Sequence, residues 1–487
     1  MDSLKKLNPQ IVWSYFNDIC NIPRPSKQED KIIAYLMNFG KEYELETERD
    51  EIGNVLIRKP ASASYENRVG VVLQSHIDMV CEKNSNVVHD FFNDPIQPFI
   101  DGDWVKAKGT TLGADDGIGI AAQLALLASN KIEHPPIECL FTVDEETGLT
   151  GAFALKPDFL KHRTLINLDS EDEGELFIGC AGGIDTIATL NFKTKNVPKN
   201  SVAYKISVFG LRGGHSGDDI HKGYGNANKI LNRFLYDAGN EFKIQLTNFD
   251  GGNLRNAIPR EASAVFTCKE KYSNNIQEFY NIFSEELKNE YNTTEPKLAF
   301  ELTSIELPTY VLKPKSQKRL LKAIYACPNG VIAMSQAIDG LVETSTNLAS
   351  VKFKASNVVE IVTSQRSSVN SAKLDIAHMV ESVFKLAKAK VRHSDGYPGW
   401  QPNTNSAILK ATEDSYQKLF GKKPIVRAIH AGLECGLFLE KYPDMDMISF
   451  GPTIKNAHSP DEMIEIKTVE KFWDHLLDVL KNIPIAL

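Results

Sequence analysis

Five sites along this chain join an apolar run to a carboxylate or an imidazole, the donor types of a metal centre. Val71-Val72-Leu73-Gln74-Ser75 leads into His76-Ile77-Asp78. Thr110-Thr111-Leu112-Gly113-Ala114 leads into Asp115-Asp116, and a helix-like apolar stretch from Ile118 to Ala128 follows. Ile137 to Val143 leads into Asp144-Glu145-Glu146, and Thr164 to Leu168 leads into Asp169. Near the far end, Met447-Ile448-Ser449-Phe450 precedes a loop that carries His458. In open α/β sheets, metal ligands and acid/base groups collect at the carboxyl ends of strands. Imidazole and carboxylate donors suit zinc and similar divalent ions. Five sites of one chemical type therefore imply a shared metal centre with hydrolytic chemistry.

Each site also admits a plainer reading. His76 and Asp78 are two apart, so on a strand they share a face. That spacing suits a ligand with a carboxylate that orients the metal or the ring, whereas His76 taken alone could be a core histidine. Asp115-Asp116 follows a glycine and starts a helix, where aspartate is a favoured cap. Both can hold, with Asp116 capping while Asp115 binds metal. Glu145-Glu146 offers two adjacent carboxylates on a loop, one able to bind metal while the other takes a proton from water. Asp169-Ser170-Glu171-Asp172-Glu173 is a largely acidic loop in which only the first residue directly follows the strand.

The elements that position these groups follow from periodicity. Residues 1–185 alternate helix and strand patterns, which is an α/β arrangement. An amphipathic helix carries Ile11, Val12, Tyr15, Phe16 and Ile19. Ile22-Pro23-Arg24-Pro25-Ser26 is a turn, and Ser26 is placed to cap the helix through Ile32, Ile33, Tyr35 and Leu36. Asn54 to Ile57 and Gly70 to Gln74 read as strands. Four of the five sites lie between 76 and 169 and the fifth at 458, so the chain must leave the first domain and return to it. The expected organisation is a domain of residues 1–185 and 399–487 with residues 186–398 inserted. The edges are the glycine-rich Gly179-Cys180-Ala181-Gly182-Gly183 and the turn-rich Asp395 to Pro402. Within the insertion, Ala203 to Phe209 alternates like a strand, and Ala227, Ile230, Leu231, Phe234 and Leu235 mark a helix. A second strand-and-helix set covers Val358 to Ala389.

At 487 residues two or three domains are expected, and the net charge of -8 argues against nucleic-acid binding. The one basic-looking stretch, Lys385 to His393, reads as a solvated helix face. The seven cysteines form no CxxC pair and read as packed thiols rather than a zinc finger or a disulfide framework. With no signal-like segment and no run of 18 apolar residues, a membrane is not expected as a partner and a reducing cytoplasm is the expected location.

The motifs HIDMV (76–80), GTTLGADDGIGIA (109–121), DEETGLTGA (144–152), NLDSEDEGE (167–175), GCAGGID (179–185), GLRGGHSG (210–217), NAIPREA (256–262), YPGWQPN (397–403), IHAGLECG (429–436) and GPTIKNAHSPDE (451–462) are similar, in order and over the whole chain, to the aminoacyl-histidine dipeptidases. That group sits within the di-zinc aminoacylase and carboxypeptidase family. The resemblance implies a catalytic domain with a central mixed β-sheet flanked by helices, plus an inserted α+β lid and dimerisation domain. It implies two divalent ions per chain, zinc first and cobalt or manganese as alternatives. Asp115 would bridge them, with His76 and Asp169 on one and Glu146 and His458 on the other. Glu145 would be the general base and Asp78 the orienting carboxylate. His215 would reach the partner subunit's site in a homodimer and stabilise the oxyanion. Asn256 and Arg366 would hold the carbonyl and terminal carboxylate of a short peptide. Glu434 lies in a loop that the family places near the metals. The pattern departs at Asp116, where the family has asparagine. The implied reaction is hydrolysis of Xaa-His dipeptides such as β-alanyl-histidine. N-acyl amino acid deacylation and broad aminopeptidase action are the alternatives, and a non-catalytic dimeric binding protein is a further one.

Overall fold

The computed structural model describes residues 4–355 and 357–486. The chain forms two compact units. The first holds the chain up to Gly179, Pro402–Ala428 and everything from Leu433 onward; the second holds Cys180–Gln401 and Ile429–Gly432.

The first unit is built on an eight-stranded sheet. Its order is Glu46–Arg49, Val55–Lys59, Ile137–Thr142, Val71–His76, Thr164–Asn167, Asp446–Ser449, Glu175–Cys180 and Ile425–Ile429. The four strands from Ile137–Thr142 to Asp446–Ser449 run parallel, while Val55–Lys59 and Glu175–Cys180 pair antiparallel at their flanks. The sheet is therefore mixed. Val71–His76 and Ile137–Thr142 are buried along their whole length, which is why they read as largely apolar rather than strictly alternating. Helix Ala114–Ala128 packs on Val71–His76, and helix Gln10–Cys20 packs on that helix through Val12, Trp13, Phe16 and Ile19. These four side chains recur at helical spacing and form its buried stripe.

A nine-stranded sheet organises the second unit. Its order is Ala299–Ile305, Ser201–Phe209, Ala262–Lys269, Gln245–Gly251, Val342–Lys354, Val358–Ser367, Gly182–Asn191 and Lys390–His393, with Gly330–Met334 also pairing with Val342–Lys354. The ladders are antiparallel. Helices Ala227–Glu241, Ser273–Glu290, Pro314–Ala326 and Asn370–Leu386 bury one core with it, centred on Ile206, Leu231, Phe234, Phe249 and Phe266.

Three expectations change. The domain edges of 185/186 and 398/399 move, because strand Gly182–Asn191 is already paired with Val358–Ser367 at its first residue and Cys180 bridges Trp400. Residues Ile429–Gly432 also join the second unit, where Ile429 and Ala431 both accept the Ala181 N–H. Ser26 does not cap a helix: helix Asp30–Glu42 begins after Glu29, and the Ser26 hydroxyl donates instead to Asp78 Oδ2 at 2.7 Å. Lys385–His393 is not one helix face. The helix ends at Leu386, Lys388 has φ +63, and Lys390–His393 is an edge strand whose side chains alternate between exposed and half-buried.

Candidate metal centre

The carboxyl ends of the four parallel strands set out the site. His76 is the last residue of its strand, Glu145 and Glu146 follow Ile137–Thr142, and Asp169 follows Thr164–Asn167. Asp115 lies at the start of helix Ala114–Ala128 with non-helical backbone (φ −79, ψ 114), so its side chain leaves the helix axis. His458 sits in the turn between the short strands Ile454–Lys455 and Met463–Glu465, at φ +62.

The two Asp115 oxygens face two different imidazoles. Oδ1 stands 3.0 Å from His76 Nε2, and Oδ2 stands 3.0 Å from His458 Nε2. Asp169 Oδ1 is 3.5 Å from the same His76 nitrogen, and Glu146 Oε2 is 3.0 Å from the same His458 nitrogen. Two candidate ligand sets result, His76–Asp115–Asp169 and Asp115–Glu146–His458, sharing one carboxylate.

Asp78 ties the adjacent glutamates to His76. Its Oδ1 accepts the Glu145 N–H at 3.0 Å and lies 3.3 Å from His76 Nδ1, while Oδ2 accepts the Glu146 N–H at 3.2 Å. With Nδ1 turned to Asp78, the ring presents Nε2 to Asp115 and Asp169. The strand ends at His76, so the contact with Asp78 comes from the loop rather than from a shared strand face. Asp116 is buried, and its Oδ1 accepts the Gly119 N–H at 3.2 Å, the cap expected of it.

The electrostatics of these side chains test whether they fit metal ions. Burial pushes the carboxyls of Asp169 and Glu145 well above their ordinary range, and neighbouring carboxylates add to the effect. Burial acts against a charged His76, yet Asp169, Asp115 and Asp78 hold its proton well above the usual imidazole value. Hydrogen bonds to Asp115 and Glu146 hold the His458 imidazole up at about 11. Carboxylates this crowded are stable only when positive charge is shared among them. Glu146 Oε1 is moreover buried with no hydrogen-bond partner among the described residues. An N/O donor set short of positive charge fits divalent cations.

Below the ligands, buried polar side chains link the four parallel strands. Gln74 donates to Thr142 Oγ1 (3.1 Å) and Glu434 Oε2 (2.6 Å), Asn167 donates to Gln74 Oε1 (2.6 Å), and Ser449 donates to Asn167 Oδ1. Burial pushes the Glu434 carboxyl up to about 7. In the sequence Gln74, Thr142, Asn167 and Ser449 sit within largely apolar runs, and Glu434 was singled out only by the family resemblance.

The three substrate-binding residues of the sequence reading lie in the second unit, grouped together. His215 Nε2 is 3.4 Å from Arg366 Nη2, and Asn256 accepts the Ser216 N–H at 2.8 Å. Arg366 also donates to the Tyr397 hydroxyl at 3.1 Å, and Ser345 Oγ meets His430 Nε2 at 2.8 Å. Burial lowers the His430 imidazole to about 3, with the Arg366 charge contributing. Tyr397, Ser345 and His430 have no metal-type spacing to mark them, so residue reasoning missed them.

Residues 72–482 match the peptidase family M20/M25/M40. The cytosol non-specific dipeptidase of Escherichia coli (strain K12) is 48% identical over 484 residues, covering 99% of this chain and 100% of that protein. The crystal structure of the aminoacylhistidine dipeptidase from Vibrio alginolyticus aligns with a TM-score of 0.92 at 46% identity, over 100% of this chain and 99% of that one. An aminopeptidase PepT from Bacillus cereus shares the fold, with a TM-score of 0.63 at 16% identity over 98% of this chain and 99% of that one. The chain belongs to peptidase family M20/M25/M40. It is therefore an enzyme of the metal-dependent peptidase class.

Proposed function

We propose that this protein hydrolyses dipeptides, with Xaa-His dipeptides such as β-alanyl-histidine preferred. The observation that carries the reading is Asp115 facing two imidazoles, with Asp169 and Glu146 completing two ligand sets on either side. In this reading one ion is held by His76, Asp169 and Asp115, and the other by Asp115, Glu146 and His458. Zinc is the first choice, with cobalt and manganese as alternatives. A divalent pair there supplies Lewis acidity toward the scissile carbonyl and toward the attacking water.

The remaining work falls to side chains of the chain itself. Glu145 takes the proton of the attacking water and passes it to the leaving amine. Its half-buried position among carboxylates supports this role, because it raises the affinity of Glu145 for that proton. Asp78 orients the His76 ring and fixes the backbone of Glu145 and Glu146. His215 stabilises the oxyanion, Asn256 holds the carbonyl, and Arg366 binds the substrate carboxylate through its planar fork. His215 is assigned to the partner subunit's site in a homodimer. Val331, Ile332 and Met334, exposed apolar residues of the strand Gly330–Met334, support such an assembly. The unit of Cys180–Gln401 and Ile429–Gly432 is read as the lid and dimerisation domain, and the other unit as the catalytic domain. The chain is assigned to the cytoplasm; among its described residues no helix is long and apolar enough to cross a membrane.

The name of the Escherichia coli relative, a non-specific dipeptidase, favours a second reading in which the dipeptide preference is broad. Both readings are tested by assaying the purified enzyme on a dipeptide panel with zinc, cobalt and manganese. Dipeptides with C-terminal histidine should be cleaved fastest. Even rates across the panel would favour the broad reading, and faster cleavage of N-acyl amino acids or long peptides would contradict both.

A further inference from the structure

The segment Leu112–Asp115, which delivers the shared carboxylate, is held by a buried anion and a buried cation that are not themselves in the ligand set. Glu462 Oε2 accepts the N–H groups of Leu112 (2.7 Å) and Gly113 (2.9 Å), and Oε1 accepts those of Ala114 (2.7 Å) and Asp115 (3.3 Å). Arg24 grips the other polarity. Its guanidinium donates to the Gly113 carbonyl and to those of Ile77 and Asp78, the Ile77 bond being 3.1 Å long. Each side chain is 2% exposed. Gly113 is at φ +68, and a Cβ there would stand 2.7 Å from Arg24 Nη2, so the grip requires glycine.

Glu462 also lies four residues after His458 in the turn between Ile454–Lys455 and Met463–Glu465, and its own N–H closes on the Ser459 carbonyl at 3.0 Å. One carboxylate thus fastens the segment bearing Asp115 to the turn bearing His458. Arg24 fastens the same segment to the loop that follows His76. Arg24 lies outside the residues that match the family.

We propose that Glu462 and Arg24 are positioning residues for the metal pair, with Glu462 setting the separation of Asp115 from His458. Hydrogen bonds to a charged acceptor are strong and directional, and four of them on consecutive N–H groups leave the segment little freedom. Charge, not shape, makes the grip. In Glu462→Gln one oxygen becomes an NH2 group that faces backbone N–H donors.

This inference rests on the two-ion reading, and the test separates the two. Full-length protein is stripped with a chelator and titrated with zinc against a chromophoric competitor, while circular dichroism and the unfolding midpoint of the metal-free protein report folding. Wild type should bind two ions; fewer than two would overturn the two-ion reading itself. Glu462→Gln should keep one ion near wild-type affinity and bind the second about 10–100-fold more weakly, the range for partners that orient ligands. Its kcat should recover as zinc is raised, with KM for the dipeptide unchanged. Two ions bound with wild-type affinities would overturn the proposal, as would equal weakening of both. If Glu462→Gln does not fold, Arg24→Lys takes its place, because it keeps the charge but loses the fork that spans three carbonyls. Weakening of at least one ion by about tenfold or more supports the proposal, and wild-type affinities for both ions overturn it.

Discussion

Glu145 and Glu146 adjoin in the chain yet have different surroundings, and that difference can be measured. Glu146 Oε2 lies 3.0 Å from His458 Nε2, in a ligand set. Glu145 is half-buried near Glu146, Glu434 and Asp115; it groups with His76 and Glu146 and is in neither of the two sets that share Asp115. Glu145→Gln is expected to retain metal and lose about 10²–10⁴-fold in kcat, the typical contribution of a general base. Glu146→Ala is expected to lose metal as well, measured as bound zinc after desalting. A Glu145→Gln enzyme with near-normal turnover would move the base elsewhere. The candidate ligands His76, Asp115, Glu146 and Asp169 stood out in the sequence because each lies at or just after the end of an apolar run, whereas His458, further along a loop, stood out only through the family resemblance. Arg24 and Glu462 were not, because their partners are backbone N–H and C=O groups, which every residue carries. Asp116 was read as a cap and makes that bond to Gly119.

At the scale of elements, helices Ala407–Phe420 and Ile466–Lys481 enclose His475, whose ring packs on Tyr416 and Phe450 and meets the Thr412 carbonyl at 2.9 Å. Burial pushes this imidazole down from 6.5 to about 4. Below pH 6.5 the unfolded chain takes up a proton that the folded chain refuses until about pH 4. Stability is therefore full above that window and falls as pH drops through it. The loss should be about 2–3 kcal/mol by pH 4.5, at 1.36 kcal/mol per unit of pKa difference. Urea unfolding of metal-free wild type and His475→Gln at pH 7 and 4.5 checks this, and identical pH dependence in the two proteins would refute it. A second expectation concerns Gly451, where a Cβ would stand 1.9 Å from the Ser170 carbonyl oxygen. Gly451→Ala should destabilise the first unit by about 1–3 kcal/mol, the usual cost of overpacking, measured by the same unfolding curves. The parallel strands were legible from their short, largely apolar runs. The segment Lys385–His393 was not, because its interleaved apolar residues suit a helix as well as a strand until the turn at Lys388 is known. Ser26 went astray for a related reason: a buried carboxylate at Asp78 competed for its hydroxyl, and sequence does not reveal such a neighbour.

In the proposed reading the two units divide the work, one carrying the candidate metal ligands and the other His215, Asn256 and Arg366. Arg366→Ala should raise KM for free dipeptides strongly and for their C-terminal amides far less; equal effects on both would remove Arg366 from carboxylate binding. If His215 serves the partner subunit, mixing Glu145→Gln with His215→Ala and allowing exchange should restore up to about a quarter of wild-type sites, since half the dimers are mixed and each has one good site. No recovery after demonstrated exchange would assign His215 to its own subunit or to none. The return of the chain to its first unit was legible from the distance between Asp169 and His458. The exact crossing points were not, because Cys180 and Trp400 are joined only by a bridge that sequence does not display. The central claim is a pair of ions sharing Asp115, and one titration addresses it most directly. Metal-free enzyme receives zinc in substoichiometric steps, and bound metal and dipeptide hydrolysis are read at each step, for wild type and for Asp115→Ala. The account predicts wild-type activity that rises until two equivalents are bound, and no tightly bound zinc in Asp115→Ala. Full activity at one equivalent, or a tightly bound ion that survives Asp115→Ala, would contradict it.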